Sequence, residues 1–429
     1  MMRLGRGTKR CGKYTRCGRR QRGDQAFRRT SLAFRVVAIP ILLTFIAILE
    51  TRHPFAMFRL VTFVLLFFIL ADIASFGRGK WCDFLLVLTS LAFGVCLIEA
   101  MANIFEPKTL VKEAHGWSVP QALIGWGPGH AGRFHMEKFD PKTGATIFNV
   151  DYTIDANLLR QTKSCDTGPT IVFFGCSYTF GFGVNDDEAL PQVFADALGR
   201  KQRVLNLAFP AYGPQHFLRE LEAGRFDSVI GSQPKLFVFL TAPWHAQRTA
   251  CKSRFSSYGP RYAIENDQVV FKGPCNEGVS LWLREWAENT AAYRWLIEPF
   301  RQKVSHDDIE VYIRIVLAAA QLAKKKYGVQ TLLPYLRVEE DCLRATGFTD
   351  DEIVRRLQDG GALVVDVSLA KDEASGATIS IPGDSHPTPY ANRIRALLIK
   401  NYIEQHLSGV APGRQCDANN DGKVRPDKY

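Results

Sequence analysis

The chain has 429 residues, of which 46% are hydrophobic, and a formal net charge of +11. A basic surface throughout would suggest a nucleic-acid partner, but here the charge is concentrated at one end. Residues 1–30 hold 11 of the 54 Lys and Arg residues and one of the 43 Asp and Glu residues. The remainder is therefore nearly neutral. We expect a basic, disordered cytoplasmic tail over 1–30 and no nucleic-acid partner.

Three apolar segments follow the tail within 31–106, at about 34–50, 58–76 and 83–105. Each is near the lower limit of the roughly 17–25 residues that a membrane helix needs. A cleaved signal peptide would supply one such segment, so three in series predict membrane helices, with buried core helices as the alternative. The basic residues of the tail and of loop 77–80 should remain in the cytoplasm. The sequence thus predicts a multi-pass protein of a bacterial inner membrane, in contact with lipid through its helices and tail. Residues after 106 would lie on the periplasmic or extracellular side.

The cysteines fit this placement, because disulfides form outside the cytoplasm. Six of the ten follow residue 106, and Cys251 and Cys275 enclose one polar loop. We favour that pair, while other pairings stay open.

The pattern of the outer part changes after a lead-in segment, 107–168, that is rich in Gly and Pro. Short apolar runs predict five strands, at 170–175, 203–209, 235–241, 329–336 and 362–368. Segments of helical length lie among them, at 187–199, 214–224, 279–302, 308–326 and 388–406. Strands that alternate with helices predict a parallel sheet with helices on both faces. We therefore predict a three-layer, doubly wound α/β domain over 169–408, preceded by about three transmembrane helices.

The first predicted strand ends in a candidate nucleophile. The stretch "TIVFFGCSYTFGFGV" (170–184) places Ser177 just beyond that strand. In open parallel sheets, ligands bind beyond the carboxyl ends of the strands. Cys176 is an alternative nucleophile, since a thiolate needs little activation, and a turn without chemistry is the third reading. A phosphate loop is excluded, because no Lys-Ser or Lys-Thr follows the glycines.

A candidate base follows the last predicted strand, in "IPGDSHPTPYAN" (381–392). Asp384 and His386 are two residues apart, and alternate residues of extended backbone point to the same side. The carboxylate can therefore orient the imidazole, as a serine nucleophile requires of its base.

Three blocks of the sequence together resemble the SGNH, or GDSL-type, hydrolase superfamily, above all its membrane-anchored bacterial members. They are "FFGCSYTFGFGVNDDEALPQVFADAL", "VLNLAFPAYGPQ" and "GDSHPTPYAN", and the likeness extends over about 115–406. The resemblance implies that Ser177 is the nucleophile, His386 the base and Asp384 the orienting acid. It also implies that the backbone N–H groups of Ser177 and Ala211 form part of an oxyanion hole. It implies no cofactor.

The chain departs from the family pattern in four places. Cys176 replaces an acidic residue, Ala211 replaces a glycine, and the acid and base are spaced Asp-x-His. The Asn of the third block, an oxyanion donor, has no match in "FLTAPWHAQRTAC" (239–251). Loss of one such donor costs roughly 10²–10³ in rate. We predict that His245 or Arg248 contacts substrate there, with ordinary loop residues as the alternative.

The resemblance implies acyl transfer through a Ser-His-Asp triad. The chain would be a membrane-anchored serine esterase or O-acyltransferase that acts on an ester, such as the O-acetyl groups of an envelope glycan. The alternative is a catalytically inactive protein of the same fold that binds glycan or assists envelope polysaccharide assembly.

The polar C-terminal tail, 409–429, contains a calcium-loop-like stretch over 417–428. Asp417, Asn419 and Asp421 occupy ligand positions, but the twelfth position is Lys428 and the acid, Asp427, falls one place early. A solvated acidic turn is the favoured interpretation, and no metal site is predicted.

Overall fold

The computed structural model describes residues 17–52, 57–75, 80–106, 110–114, 116–407 and 409–410. Residues 1–16 of the predicted basic tail and the calcium-like stretch over 417–428 lie outside the described residues, whereas residues 17–30, predicted to be disordered, are helical. The chain forms two compact units: one contains the N-terminal helices and Asn289–Leu296, and the other contains Pro107–Glu288 and the residues from Ile297 onward.

The first unit contains three helices at the positions of the three apolar segments. They are α1 (Cys17–Arg52), α2 (Phe58–Ala74) and α3 (Lys80–Phe105). An ion pair of 2.9 Å between Arg35 and Asp72 joins α1 to α2. Asp72, which lies at the end of an apolar segment, therefore has a structural partner.

Among the described residues, one helix, α3, is long and apolar enough to cross a membrane by length and composition. Its large apolar side chains face outward, and Leu91 and Ile104 are 62% and 75% exposed. The 17 residues of α2 span only about 25 Å at 1.5 Å per residue. The hydrocarbon core of a bilayer is about 30 Å thick. The prediction of about three membrane helices is thus supported for one helix only, and a multi-pass arrangement is not supported.

Residues Asn289–Leu296 belong to the first unit because they bind the end of α3. The buried Glu99 carboxylate accepts hydrogen bonds from the backbone N–H groups of Ala291 and Ala292, each at 2.9 Å. The segment predicted to be helical around 279–302 is therefore helical in two parts, since the Glu99 carboxylate binds the amides at the start of the second part. The chain forms α9 (Gly278–Glu288), a π-helical turn (Tyr293–Ile297) and α10 (Glu298–Arg301).

The lead-in segment of the second unit is built from five strands: β1 (Leu110–Glu113), β2 (Val119–Gln121), β3 (Gly125–Gly127), β4 (Gly132–Phe139) and β5 (Thr146–Ile154). β1, β4 and β5 form an antiparallel sheet, and β2 pairs with β3. On β4, Phe134 and Met136 are buried in a core of their own. Lys138, two residues further along, occupies the same face.

The main sheet contains all five predicted strands in the order β12-β11-β8-β6-β7, and every pairing is parallel. The strands are β6 (Thr170–Phe174), β7 (Arg203–Asn206), β8 (Pro234–Phe239), β11 (Gln330–Tyr335) and β12 (Leu363–Asp366). The predicted α/β class with a five-stranded parallel sheet is confirmed. The hairpin β9 (Pro260–Glu265) and β10 (Gln268–Pro274) carries no strong sequence signal and was not predicted.

Helices cover both faces of this sheet. Ile171 and Phe173 of β6 pack in the cluster that contains α5 (Leu190–Ala197) and α15 (Pro389–His406). Val172 and Phe174 point to the other face, in the cluster that contains α6 (Pro214–Ala223) and α11 (His306–Tyr327). The shorter helices are α4 (Ser177–Phe180), α7 (Asp227–Ile230), α8 (His245–Thr249), α12 (Glu340–Arg344), α13 (Asp350–Asp359) and α14 (Ala370–Ala374). The predicted three layers follow because successive apolar side chains of β6 point to opposite faces of the sheet.

Cys251 and Cys275 form the disulfide that the sequence favoured, with Cα atoms 5.5 Å apart. The bond closes the segment that contains the β9–β10 hairpin. Cys165 is also disulfide-bonded, whereas Cys176 and Cys342 are free.

Candidate active site

The nucleophile turn (residues 175–182) begins with a glycine that no other residue could replace without strain. Gly175 has φ of +152°, and a Cβ there would lie 2.3 Å from the Thr179 Oγ1 atom. The carbonyl of Ser177 accepts N–H groups from Gly181 and Phe182, each at 2.9 Å. The strand thus stops at Gly175, and Ser177 begins a tight helical turn beyond the sheet.

The side chain of Arg160, a residue of the lead-in segment, binds backbone carbonyls at this turn. Its Nη1 donates to the Phe180 carbonyl at 2.7 Å, and its Nη2 donates to the Val184 carbonyl at 2.8 Å. The guanidinium also stacks on the rings of Tyr152 and Phe180, at 4.5 and 4.6 Å from their centroids. Since these bonds satisfy a buried cation, they fix the turn to the lead-in core.

Cys176, the alternative nucleophile, has no exposed surface, whereas Ser177 retains 7% exposure. A buried thiol cannot meet a substrate without rearrangement of the turn. The arrangement therefore favours Ser177.

The acid–base loop (residues 379–388) brings Asp384 and His386 together as their spacing predicted. His386 Nδ1 donates to Asp384 Oδ1, and the His386 backbone N–H donates to the same oxygen at 2.8 Å. The loop closes on itself, since the Ile381 N–H donates to the His386 carbonyl at 2.9 Å. With Nδ1 bound to the carboxylate, Nε2 is the ring atom that can accept a proton.

The second carboxylate oxygen of Asp384 has a partner that sequence analysis missed. Lys138 Nζ donates to Asp384 Oδ2 at 2.6 Å, and the two side chains are 12% and 3% exposed. Burial alone would raise the pKa of Asp384, but hydrogen bonds from His386 and Lys138 and the His386 charge outweigh it. The pKa of this carboxyl therefore lies well below its usual range. A signal was present in the sequence, because a lysine on the apolar face of β4 needs an acidic partner.

The His386 ring lies against two aromatic residues of the nucleophile turn. Its centroid is 4.8 Å from that of Phe182 and 5.8 Å from that of Tyr178. The Tyr178 hydroxyl donates to the Ser385 carbonyl at 2.7 Å and so ties the acid–base loop to the turn. Within the described residues, Ser177 Oγ makes no hydrogen bond to His386. Catalytic hydrogen bonds are often long before substrate binds, so this geometry is compatible with a triad.

Ala211, the predicted oxyanion residue, lies beyond β7, the strand next to β6. The Phe209 N–H donates to the Gly175 carbonyl at 3.3 Å, so this loop follows the nucleophile turn. Ala211 has φ of +65°, a region that suits the glycine of the family pattern better than alanine. The N–H groups of Ser177 and Ala211 have no hydrogen-bond partner in the part of the chain that the structure describes. Both amides are therefore available to a ligand.

His245 follows the third strand, as the sequence indicates, but its side chain is not accessible to a ligand. Its side chain is completely buried, and its Nδ1 lies 3.2 Å from Thr241 Oγ1, which in turn lies 2.9 Å from the Tyr312 hydroxyl. Burial, with a smaller contribution from the Arg248 charge, puts the pKa of His245 well below its usual value. The structure does not support the predicted contact between His245 and substrate, because a neutral imidazole with no exposed surface cannot reach a ligand.

Arg248, the other predicted contact, is half-buried and already bonded. Its guanidinium donates to the carbonyl of Tyr212, the residue after Ala211. Arg248 thus stabilises the loop that carries the Ala211 amide. The contact of Arg248 with substrate stays a prediction.

No protein-family model matches the chain, and no curated protein matches it. Several solved structures are similar to it. One, from Desulfitobacterium hafniense DCB-2, is assigned to the G-D-S-L lipolytic family, with 12% identity, coverage of 55% of this chain and 99% of that one, and a TM-score of 0.33. The psychrotrophic esterase EstA from Pseudoalteromonas sp. shows 11% identity, coverage of 56% and 100%, and a TM-score of 0.35. A catalytic mutant of an acetylxylan esterase from Geobacillus stearothermophilus shows 15% identity, coverage of 55% and 94%, and a TM-score of 0.32.

The names of these three structures describe a lipolytic protein and two esterases. TM-scores below 0.5 do not carry an activity from one protein to another. The case for a function therefore rests on the side chains and amides of this chain.

Proposed function

We propose that the chain is a serine esterase or O-acyltransferase of the SGNH type, with Ser177, His386 and Asp384 as its triad. The observation that carries the proposal is the Asp384–His386 pair in a loop tied to the nucleophile turn by the Tyr178–Ser385 hydrogen bond. A structural histidine would need no buried, ionised carboxylate on one ring nitrogen and no serine-bearing turn beside its ring.

The reaction would proceed through an acyl-enzyme. Ser177 Oγ attacks the ester carbonyl carbon while its proton passes to His386 Nε2, and the charge on the carbonyl oxygen is stabilised by the Ser177 and Ala211 amides. His386 then gives the proton to the departing alcohol as the acyl–oxygen bond breaks. Water or an acceptor hydroxyl attacks the acyl-enzyme, and its proton returns through His386. Water makes the protein an esterase, and an alcohol acceptor makes it a transferase.

The finer proposal is that this chemistry occurs outside the cytoplasm, on O-acetyl groups of an envelope glycan. One crossing through α3, or any odd number of crossings, separates the catalytic unit from the basic N-terminal residues. The Cys251–Cys275 disulfide supports an oxidising compartment for that unit. Acylated glycans are the esters that such a location offers.

The test is covalent labelling of the full chain, in detergent, with a fluorophosphonate probe. We expect the wild type to react and Ser177→Ala to lose all labelling, while His386→Ala slows it by roughly 10³-fold. Cys176→Ala serves as the matched control at the adjacent residue and should label normally. Labelling that survives Ser177→Ala, or a folded wild type that never reacts, would contradict the proposal.

One observation favours a second function, an inactive protein of the same fold that binds glycan. The described structure holds no hydrogen bond between Ser177 Oγ and His386, and the side chain of His245, one of the two residues predicted to replace the missing Asn, is completely buried. If the wild type does not label, binding of acetylated oligosaccharides to the full chain becomes the measurement that separates a binding protein from one without a glycan ligand.

A further inference from the structure

Lys138 is the cation that touches Asp384, and it comes from a different part of the chain. The two residues are separated by 246 positions, yet Nζ and Oδ2 are 2.6 Å apart. Lys138 lies on β4 of the lead-in sheet, and Asp384 lies in the acid–base loop that follows the main sheet. The ion pair therefore joins the lead-in segment to the proposed triad.

Three donors bind the carboxylate of Asp384, and its two oxygens have different partners. Oδ1 accepts Nδ1 and the backbone N–H of His386, while Oδ2 accepts only Lys138 among the described residues. A carboxylate bound at both oxygens cannot rotate about its terminal torsion, which is otherwise broad. Lys138 thus fixes the oxygen that orients the imidazole.

We propose that Lys138 is a positioning residue of the active site, which locks the Asp384 carboxylate toward His386 and makes the lead-in sheet part of the catalytic apparatus. The inference rests on the proposed function for its kinetic consequence, but the positioning itself can be measured without any substrate.

The charge of Lys138 has a second effect. It opposes the positive charge that His386 acquires when it takes the proton of Ser177. Without the lysine, the imidazolium would face the Asp384 carboxylate alone and would be more stable. Removal of the charge should therefore move the protonation of His386 to higher pH.

Other titratable groups around the pair do not offset this effect. Burial raises the pKa of Tyr152 and of Tyr178, so both stay neutral at physiological pH. Arg395, on α15, lies 5.9 Å from the centroid of the Tyr178 ring, and its Nε donates to the Val367 carbonyl. Burial also raises the pKa of Glu113, the acidic residue on β1.

Three full-length variants in detergent test the inference. Lys138→Met removes the charge and the donor, whereas Lys138→Gln removes the charge and keeps an N–H donor. Lys112→Met is the matched control, because Lys112 lies on β1 of the same sheet and is 74% exposed. The protonation midpoint of the His386 ring is read by NMR with ¹⁵N-labelled histidine, and its resonance is assigned with His386→Gln.

We expect the protonation midpoint of the His386 ring to rise in both Lys138 variants, because a neighbouring positive charge is removed, and to stay unchanged in Lys112→Met. In ester hydrolysis, the acid limb of the pH profile of kcat/KM should move by the same amount. The plateau should fall by about tenfold in Lys138→Met and less in Lys138→Gln, since the amide still holds Oδ2.

The outcomes separate the two proposals. An unchanged midpoint in a folded Lys138→Met variant, which loses both the charge and the donor, would overturn the role of Lys138, whether or not the protein hydrolyses esters. A shifted midpoint in a protein that hydrolyses no ester would support the positioning role and count against the proposed function. An equal shift in Lys112→Met would also overturn the inference, because it would reflect net charge and not contact.

Discussion

The acid–base loop (379–388) and the third-strand end (241–248) lie beyond carboxyl ends of the same sheet, yet they hold polar side chains in opposite ways. In the loop, both carboxylate oxygens of Asp384 accept hydrogen bonds, and His386 retains a ring nitrogen for chemistry. At the third-strand end, His245 is buried with Thr241 and Tyr312, and Arg248 is bonded to a backbone carbonyl. This difference indicates that a polar side chain at the ligand-binding edge of the sheet can act on a substrate only if one of its polar atoms is exposed and has no partner within the protein.

This comparison explains how the chain could tolerate the loss of the family's Asn. The oxyanion would depend on the amides of Ser177 and Ala211, and Arg248 would stabilise the loop that carries the second amide. The residues that replace the Asn block then contribute to packing and loop position.

The largest expected effect separates the two regions directly. Asp384→Asn should lower kcat/KM for ester hydrolysis by roughly 10³-fold or more, because the amide favours the wrong imidazole tautomer. His245→Gln should change it by less than about threefold, since a buried side chain does not touch substrate. Steady-state kinetics of the full chain measures both, with thermal unfolding as the check on folding. A larger loss in His245→Gln than in Asp384→Asn would reverse the comparison.

A smaller effect concerns stability and pH. The pKa of Asp384 is depressed in the folded chain, so its ion pairs contribute stability that is complete above the unfolded value of about 4 and is lost as pH falls below it. We expect the difference in unfolding free energy between wild type and Asp384→Asn to shrink by about 2 kcal/mol from pH 6 to pH 2.

Unfolding midpoints across that pH range provide the measurement. Asp359→Asn, at an exposed carboxylate in an i,i+4 pair with Arg355, is the control and should show almost no pH-dependent difference. A constant gap between wild type and Asp384→Asn would contradict the depressed pKa.

The smallest expected effect tests whether the backbone at Ala211, in the loop proposed to bind the oxyanion, is strained. Ala211→Gly should stabilise the fold by about 0.5–1 kcal/mol, because glycine adopts φ of +65° without the Cβ strain of alanine. Activity should be retained, since the N–H group remains. The same substitution in α5, Ala195→Gly, should destabilise by about 1 kcal/mol or more, and both are read by chemical denaturation. Destabilisation by Ala211→Gly would show that the positive φ carries no strain.

Much of the fold and part of the site could be predicted because their signals are local. The continuous apolar run "TIVFF" specified a strand buried on both faces, and the spacing of Asp384 and His386 specified their hydrogen bond. The interruption of the helical segment over 279–302 could not be predicted locally, because the carboxylate that binds its amides belongs to Glu99, far away in sequence.

Local sequence patterns were enough to predict which residues form the proposed triad, where the five strands lie along the chain, and which disulfide is favoured. Each depends on neighbours within a few positions or on a short repeat of two or about 3.6 residues. Three contacts became known only from the tertiary structure: Lys138 binds Asp384, Arg160 binds the nucleophile turn, and His245 packs in the core. These are contacts between segments that are remote in sequence, and packing selects one partner where a local pattern leaves many.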